Sequence, residues 1–534
     1  STDDRTPAGD QLALSSVTIG GQSGLSDFDD VSPDAEIVLD FTAALDAATV
    51  EANIYLLDAG GAKVDASDVY DGAKRVTLKP SAGLNAYASY RLIVDSGLKS
   101  AAGEAILTGK VIRIRTGLDT SDKFPQISDE ELLTKVQQQT FRYFWEGAEP
   151  TSGMARERTS SGATVTTGGT GFGVMAMTVA AERGFVPRSE ACQRVQRIVT
   201  FLAERATSYH GAFSHWIDGQ TGQTLPFSAD DNGADLVETG LLFQGLLTAR
   251  AYFDGADAAE SKLRADITAL WEAVEWDFFT KEGTEKVLYW HWSPDKGWAM
   301  NMPIQGWNEA LIVYVLAASS PTHPIGREVY AEGWARGGAM RNGKLFYDTV
   351  LPLGEDYGGP LFWAQYSFLG LNPRGLSDAY ADYWEQVCNH TRINYAYCVD
   401  NPKGYAGYGA DCWGLTASDI PDGYTASSPT NDRGVIAPTA ALSSMPYTPD
   451  ESMAALRFFY YKLGDKLWSD YGFIDAFDLT TGWFDRGMHI AIDQGPIVVM
   501  IENYRTGLPW NLFMSDKDVQ RGLAELGFTV EAGS

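Results

Sequence analysis

The chain has 534 residues, 44% of them hydrophobic, and its 41 basic and 70 acidic residues give a net charge of −29. A chain of this length is too long to fold around one hydrophobic core of ordinary size. It predicts two or three domains, or one large closed architecture with an appendage. The negative charge is spread along the chain and disfavours nucleic acid and anionic membranes as partners, and no apolar run is long enough to span a bilayer. We expect a neutral or cationic ligand and a monomeric protein.

The cysteines and the first residues bear on the compartment in which the chain folds. Four cysteines, at positions 192, 388, 398 and 412, are too few for a disulfide framework in a chain of this length. Cys398 and Cys412 could close one loop, whereas Cys192 and Cys388 fit buried free thiols better. Residues 1–10, which we expect to be disordered, carry no signal-peptide pattern, so an export signal is either absent or removed.

Residues 11–117 consist of short segments in which apolar and polar residues alternate, such as LALSSVTIG and AEIVLDFTA. Gly, Asp, Asn or Pro bounds each segment at intervals of about ten residues, which is typical of an antiparallel β-sandwich. No residue pattern in this region indicates chemistry. We therefore predict an Ig-like sandwich that serves as a spacer or interaction module, followed by a linker over 118–127.

From residue 128 to 534 the periodicity is helical, and Ser128 with Glu131 forms a capping box at its start. Six segments are apolar nearly all round, near positions 171, 234, 307, 359, 434 and 495, and amphipathic segments separate them. Helices that are apolar on every face must be inside, and those with one polar face outside. This repeat predicts a mainly α protein, an (α/α)6 toroid, whose inner helices all begin at one end and line one pocket.

The stretch FSADDNGADLVETGLLFQGLLTARAYF, residues 227–253, places four acids before the second inner helix. At about 100° per residue, Asp231, Asp235 and Glu238 share one stripe, whereas Asp230 points elsewhere and is interpreted as a cap. Acids in a first turn favour the helix dipole by about 0.3–1 kcal/mol each, which accounts for one or two of them. It does not account for Glu238, two turns into a buried helix, so we predict a polar ligand pocket.

Glu309 is the only charged residue of the next inner segment, WNEALIVYVLAASSPTHPI. Burial should raise its pKa while the helix N-terminus lowers it, so the carboxyl group could act as a general acid. The alternative is that Glu309 caps the helix after Asn308. Two carboxyl groups that face each other from adjacent inner helices are what cleavage of a glycosidic bond requires.

Further polar and aromatic residues lie near the predicted starts of the inner helices and are candidates for binding a substrate. They are His215, Trp216, Trp290, His291, Trp307, Asp411, Trp413, Asp419 and Asp493. Each aromatic residue alone is more often part of a core, so the prediction depends on their clustering. His215 and His291 lack a metal-binding spacing, and we expect no cofactor, although a structural calcium ion could bind at the acidic stripe.

Five long segments resemble the bacterial glucoamylase-like family whose characterised members include β-1,2-glucanases, glycoside hydrolase family 144. They are DNGADLVETGLLFQGLLTARAYF, WNEALIVYVLAASSPTHPI, GYGADCWGLTASDIPDGY, GVIAPTAALSSMPYTP and IAIDQGPIVVMIENYRTG. The likeness covers about 125–530, and residues 11–117 are similar to bacterial Ig-like domains. The resemblance implies an (α/α)6 barrel, no required metal, and hydrolysis of β-1,2-glucan with inversion by two carboxyl groups.

By the same resemblance, Asp231, Asp235 and Glu238 match the family's essential acidic cluster, and Glu309 matches its second essential acid. We expect Glu309 to be the general acid and the Asp235 and Glu238 side to activate water. There are three alternatives: hydrolysis of another gluco-oligosaccharide linkage, a transglycosylase activity, and glycan binding without catalysis. The family and the acidity also predict a periplasmic or extracellular location in a bacterium, with a lipid anchor upstream of Ser1 left open.

Overall fold

The computed structural model describes residues 11–531, so the disorder predicted for residues 1–10 lies outside the described part. The chain divides into two compact units, one that ends at Asp122 and one that begins at Lys123. This boundary falls inside the predicted linker. At the start of the second unit, the Lys123 amide donates to the carbonyl oxygen of Tyr461, and Phe124 stacks on Tyr460.

The first unit is a sandwich of two sheets, with strand orders β2-β1-β4-β7-β6 and β3-β9-β8-β5. Neighbouring strands are antiparallel except for the parallel pair β3 and β9. The strands are β1 Leu14–Ile19, β2 Gln22–Gly24, β3 Phe28–Val31, β4 Ile37–Phe41, β5 Ile54–Asp58, β6 Ala66–Tyr70, β7 Arg75–Pro80, β8 Ser89–Val94 and β9 Lys110–Thr116; one short helix, α1 (Val50–Asn53), precedes β5. Apolar side chains from both sheets form one core, which confirms the predicted Ig-like sandwich.

The second unit is mainly helical. Its helices are α2 Asp129–Trp145, α3 Thr167–Arg183, α4 Arg188–Glu204, α5 Leu236–Tyr252, α6 Ala258–Ala273, α7 Leu311–Ser319, α8 Tyr383–Asp400, α9 Pro438–Leu442, α10 Pro449–Arg457, α11 Gly464–Leu467, α12 Ala491–Arg505, α13 Leu508–Met514 and α14 Lys517–Leu526. Ser128 caps α2 as predicted, because its side chain accepts a hydrogen bond from the Glu131 amide. Among residues 11–531, no helix combines the length and apolar character that crossing a bilayer requires.

The six predicted inner segments form a closed ring in the order α3, α5, α7, residues 361–368, α9, α12 and back to α3. The amphipathic helices α2, α4, α6, α8 and α10 pack outside it. This arrangement confirms the toroid. Residues 361–368 form two 3-10 turns and α9 is one short helix. Regular helices were expected at both places, and periodicity could not reveal the difference because nearly every side chain there is buried.

Short strands connect the helices of this unit. They are β10 Thr164–Thr166, β11 Trp216–Asp218, β12 Thr224–Leu225, β13 Ala234–Asp235, β14 His291–Trp292, β15 Leu345–Phe346, β16 Thr349–Val350, β17 Leu376–Ser377, β18 Ala417–Ile420, β19 Gly423–Ala426, β20 Trp468–Ser469, β21 Gly472–Phe473, β22 Phe477–Asp478, β23 Trp483–Phe484 and β24 Thr529–Val530. β10 leads directly into α3, and β13 leads directly into α5. Pairing of β10 with β11 and of β13 with β14 therefore fixes where these two helices start.

All four cysteines are buried free thiols, so the loop that Cys398 and Cys412 could have closed is not closed by a disulfide in this structure. Hydrogen bonds join the chain just outside these two cysteines instead. The side chain of Asn394 in α8 accepts from the Leu415 amide and donates to the Leu415 carbonyl oxygen. Burial raises the pKa of Cys398 to about 12, which keeps this thiol protonated.

The inner helices α3 and α5 approach so closely that only glycine fits at their contact. A Cβ atom on Gly245 would lie 2.1 Å from the carbonyl oxygen of Gly171, and one on Gly171 would lie 2.4 Å from the carbonyl oxygen of Leu241. Both obstacles are backbone atoms, which a change of side-chain rotamer cannot move. The ring therefore depends on glycine at these two positions.

We predict that Gly245→Ala lowers the free energy of unfolding by about 3 kcal/mol, because the two helices must separate to admit a methyl group. Urea denaturation followed by circular dichroism measures the change. Gly409→Ala is the matched control, since its Cβ would find no atom closer than 3.9 Å. Equal denaturation midpoints for the two variants would contradict the close contact of the helices.

Candidate active site

Three of the predicted acids lie together where α5 begins. Asp235 is the residue before the helix, and its side chain accepts a hydrogen bond of 2.9 Å from the Glu238 amide. Glu238 is thus in the first turn and not two turns in, and the prediction that Asp230 is the cap is wrong. Asp230 lies in the preceding loop, where it pairs with Lys296 at 3.4 Å. Asp231, Asp235 and Glu238 are all buried.

His215 joins two of these acids. Its Nδ1 lies 3.4 Å from Asp235 Oδ2, and its Nε2 lies 3.8 Å from Glu238 Oε1. Burial alone would lower the pKa of His215, but the charge of Glu238 and the hydrogen bond and charge of Asp235 raise it to about 9. At neutral pH an imidazolium therefore lies among the carboxyl groups. It outweighs the burial of Asp235 and lowers the pKa of that carboxyl group.

Glu238 is held by groups at the start of α3. Its Oε1 accepts hydrogen bonds of 3.2 Å from the Thr166 hydroxyl and from the Gly168 amide. Burial nevertheless raises its pKa, and the charge of Asp235 adds to the effect against the opposing charge of His215. A Cβ atom on residue 168 would lie 2.8 Å from Glu238 Oε2. Glycine at this position leaves the space that the carboxyl group occupies.

Asp231 forms the third corner of the cluster with a second histidine. His291 Nε2 lies 3.5 Å from Asp231 Oδ2, because β14 places His291 opposite Asp235. Burial raises the pKa of Asp231 to about 7, with the charge of Asp235 as the next contribution. Burial also lowers the pKa of His291, so this imidazole stays neutral at pH 7. The three acids thus differ in their tendency to ionise.

Glu309 lies in the turn immediately before α7, next to this cluster. Burial raises its pKa to about 7 against a hydrogen bond from its own amide, and the charges of Asp235 and Glu238 act in the same direction as burial. The Asn308 side chain accepts from the Ala310 amide within this turn, and no side chain caps the start of α7, so the capping alternative for Glu309 does not hold. Ser367 fixes the turn by donating to the Glu309 carbonyl oxygen. The structure therefore brings Glu309 to the acids of α5.

Asp419 and Asp493 belong to a second acidic cluster, which the sequence analysis identified only in part. Its other members are Asp475 and Asp485. Arg158 donates to both carboxyl oxygens of Asp419, at 3.1 and 3.0 Å. Burial raises the pKa of both Asp475 and Asp493, and the charge of Asp493 raises that of Asp475 further. Asp475 and Asp485 stand in the loops between α11 and α12, where no periodicity marked them.

Tyr366 connects the two acidic clusters. Its hydroxyl lies 3.5 Å from Asp493 Oδ1, and the charges of Asp493 and Glu309 both contribute to raising its pKa, after burial. Asp493 is in the first turn of α12, and Glu309 precedes α7. The two acids therefore face one region from two inner helices, as the toroid predicts.

The remaining predicted residues separate into two groups. Trp216 and Trp290 are partly exposed near the acids, since Trp216 contacts His215 and Trp290 stacks on His291.

Trp307 and Trp413 are buried, so their rings pack inside the protein. Trp307 stacks on Phe368 and Tyr383, and Trp413 packs on Tyr395 and donates to the Glu451 carbonyl oxygen. Asp411 is exposed near Tyr395. The structure does not bring Asp411, Trp307 or Trp413 into contact with the acidic clusters.

Within residues 11–531, two groups of side chains have donor atoms close enough together to hold a metal ion. In each group the donor atoms lie within 4.8 Å of one another. One group is His215, Asp231 and Asp235, and the other is Asp419, Asp475 and Asp485. The carboxylate oxygens in both groups suit calcium, whereas the imidazole nitrogen of His215 does not. The imidazolium of His215 already pairs with Asp235, and the guanidinium of Arg158 already pairs with Asp419. These positive charges weaken the attraction of each group for a metal cation.

Comparison with known protein families gives a match for each unit. The family described as "Putative glucoamylase" matches residues 301–517, and the family described as "Bacterial Ig-like domain" matches residues 17–113. A curated relative from Parabacteroides distasonis, an exo β-1,2-glucooligosaccharide sophorohydrolase (non-reducing end), is 47% identical over 421 residues. These residues are 75% of this chain and 58% of that protein, so the chain spans less than two thirds of the relative's length.

Solved structures resemble the chain over their whole length. A "putative glucoamylase" from Bacteroides uniformis is 58% identical, with a TM-score of 0.75, over 76% of this chain and 99% of that chain. An endo-β-1,2-glucanase from Chitinophaga pinensis, solved with sophorotriose and glucose, is 51% identical, with a TM-score of 0.74. The match covers 76% of this chain and 99% of the glucanase. Both identities are high enough to indicate common ancestry as well as a common fold.

We predict that His215→Gln destabilises the protein by about 2 kcal/mol at pH 6 and has almost no effect above pH 9. The folded pKa of His215 lies above the unfolded value, so its stabilising effect is complete below the unfolded pKa and disappears as the pH rises through about 9. Urea denaturation of both proteins across this range measures the difference. A difference that is constant with pH would show that His215 is not charged in the folded state.

Proposed function

Because the chain belongs to the glucoamylase-like family of bacterial glycoside hydrolases, family 144, we propose that it hydrolyses β-1,2-linked glucan or its oligosaccharides. One observation carries the proposal. Glu309, with a pKa of about 7, lies before one inner helix and faces the acids at the start of the neighbouring one. Both relatives with a named activity act on β-1,2 linkages, which supports the same linkage here.

Glu309 is the general acid in this proposal. A carboxyl group that is still partly protonated at neutral pH can donate its proton to the glycosidic oxygen as the bond to the anomeric carbon breaks. Burial and the charges of Asp235 and Glu238 keep that proton on Glu309. The turn that Ser367 holds fixes the direction of the side chain. Loss of the proton from Glu309 would leave the departing sugar hydroxyl without a donor.

Glu238 is the stronger candidate for the general base. Its Oε1 already accepts from Thr166 and Gly168, which favours the ionised form and leaves Oε2 to accept a proton from water. Asp235 has a lowered pKa and is bound to the Glu238 amide and to His215, so it is a weaker base and a better support. We assign Asp235 a positioning role, and Asp231 the role of an acid that binds a sugar hydroxyl.

Other residues near the clusters are proposed to bind the substrate. Asp419 and Asp493 can accept hydrogen bonds from sugar hydroxyls, and the partly exposed rings of Trp216 and Trp290 can contact sugar faces. His215 and His291 hold the acids in place. The chemistry uses carboxyl groups alone, so we propose that no metal is required and that a calcium ion, where bound, has a structural role. We further propose a monomer that acts outside the cytoplasm, in keeping with the Ig-like unit.

Incubation with β-1,2-glucan, and separately with maltodextrin, tests the function. We expect products only from β-1,2-glucan, and proton NMR should show the α-anomer first if water attacks with inversion. Release of sophorose from short chains would indicate exo action, and a range of lengths would indicate endo action. Cyclic or longer products would indicate a transglycosylase, and binding without any product would indicate a glycan-binding protein.

Glu309→Gln should reduce kcat at least a thousandfold, because glutamine fills the same space but has no proton to donate. Initial rates on β-1,2-glucan, together with a circular dichroism spectrum and melting temperature equal to those of the unsubstituted protein, measure this. Asp230→Asn is the control, since Asp230 is a partly exposed acid of the same region that pairs with Lys296. Normal turnover in Glu309→Gln would refute the assignment.

A further inference from the structure

Phe227 is an exposed aromatic ring directly beside the acidic cluster, and none of the roles assigned above uses it. The residue is 49% exposed, although a phenylalanine is normally buried. Its ring stacks on His215 with 4.4 Å between centroids and 18° between planes. His215 covers one face of the ring, and the exposed part of the ring leaves room for a ligand on the opposite face. The ring also contacts Trp216, at 4.8 Å and 53°.

The backbone holds Phe227 in this position. Its amide donates to the Asp231 carbonyl oxygen at 3.0 Å, so residues 227–231 form a closed turn. Lys296 Nζ donates to the Ala229 carbonyl oxygen at 2.6 Å, and Asn232 accepts from the Ser293 hydroxyl at 2.6 Å. Hydrogen bonds from the chain that follows β14 therefore anchor the turn on its outer side. The exposed ring is not the end of a free loop.

A three-stranded sheet and the ring of His215, which contacts Asp235 and Glu238, place Phe227 near the acids. Thr166 of β10, which binds Glu238, pairs with Trp216 of β11, and Trp216 pairs with Leu225 of β12. Adjacent strands are about 4.8 Å apart, so the chain that carries Phe227 lies about 10 Å from Thr166. A sugar unit on the free face of Phe227 would thus lie next to the unit whose bond the acids cleave.

We infer that Phe227 is a platform for a glucose unit of the substrate, beside the one that reacts. This inference rests on the proposed function. The pyranose ring of β-glucose presents axial C–H groups on both faces, and these meet the electron-rich face of an aromatic ring. His215, stacked on the other face of Phe227, fixes the orientation of the ring. The platform contributes to binding and takes no part in proton transfer.

Titration of a β-1,2-gluco-oligosaccharide into proteins that also carry Glu309→Gln tests the inference by calorimetry. We expect Phe227→Leu, which keeps an apolar side chain but no ring, to raise Kd about threefold to tenfold. Phe227→Tyr should keep Kd within a factor of two. Tyr504→Leu is the matched control. Tyr504 is 41% exposed and lies at the C-terminal end of α12, whereas the acidic cluster lies at the N-terminal end of α5. An unchanged Kd in Phe227→Leu would overturn the inference.

Two further measurements distinguish a binding role of Phe227 from an effect of its ring on His215, and from failure of the proposed function. With Glu309 intact, Phe227→Leu should raise KM and leave kcat within a factor of two, because the reacting groups are untouched. A fall in kcat, with a lower pKa of His215 by NMR, would show that the ring acts through His215 and would overturn the platform. Failure of the proposed function has a different signature, namely no turnover of β-1,2-glucan by the unsubstituted protein. Absence of oligosaccharide binding in every variant would refute both.

Discussion

The candidate site depends on one partly buried cation among buried carboxyl groups. Asp231, Asp235 and Glu238 are removed from water, and carboxylates so placed are costly unless charge or hydrogen bonds compensate. His215 supplies the charge to two of them, and amide and hydroxyl groups supply the hydrogen bonds. The compensation is unequal, because His215 binds Asp235 more closely than it binds Glu238. Unequal compensation is what lets acids of one kind remain in different protonation states at the same pH.

The ring of inner helices makes this concentration of charge possible. Acids on α5 and before α7, and donors at the start of α3, belong to separate parts of the sequence. They meet because the inner helices begin at one end, where short strands pair and fix each starting residue. Amide groups at these starts point toward the acids, as the Gly168 amide does toward Glu238. The wall of the toroid and the site therefore share their supporting contacts.

Much of this could be predicted from the sequence, because apolar segments that alternate with amphipathic ones require a toroid. The acids Asp231, Asp235, Glu238 and Glu309 were found because charge in an apolar segment is unusual. The residues that accompany Asp419 and Asp493 in the second acidic cluster could not be predicted. Asp475 and Asp485 come from loops, where position depends on tertiary contacts and leaves no periodic signal. Trp307 and Trp413 were assigned to the pocket because side-chain burial cannot be read from residue type alone.

Glycine in α3 has a consequence for how the protein can adapt to heat. Cβ atoms at Gly168, Gly171 and Gly173 would meet Glu238, the backbone of α5 and the ring of Phe144, respectively, at 2.8 Å or less. Each glycine costs a helix about 1 kcal/mol relative to alanine, and replacing it is a common route to thermal stability. That route is closed at these positions of α3, the helix whose start binds Glu238. Substitutions that raise the thermal stability of this protein must therefore lie elsewhere, in the outer helices and loops.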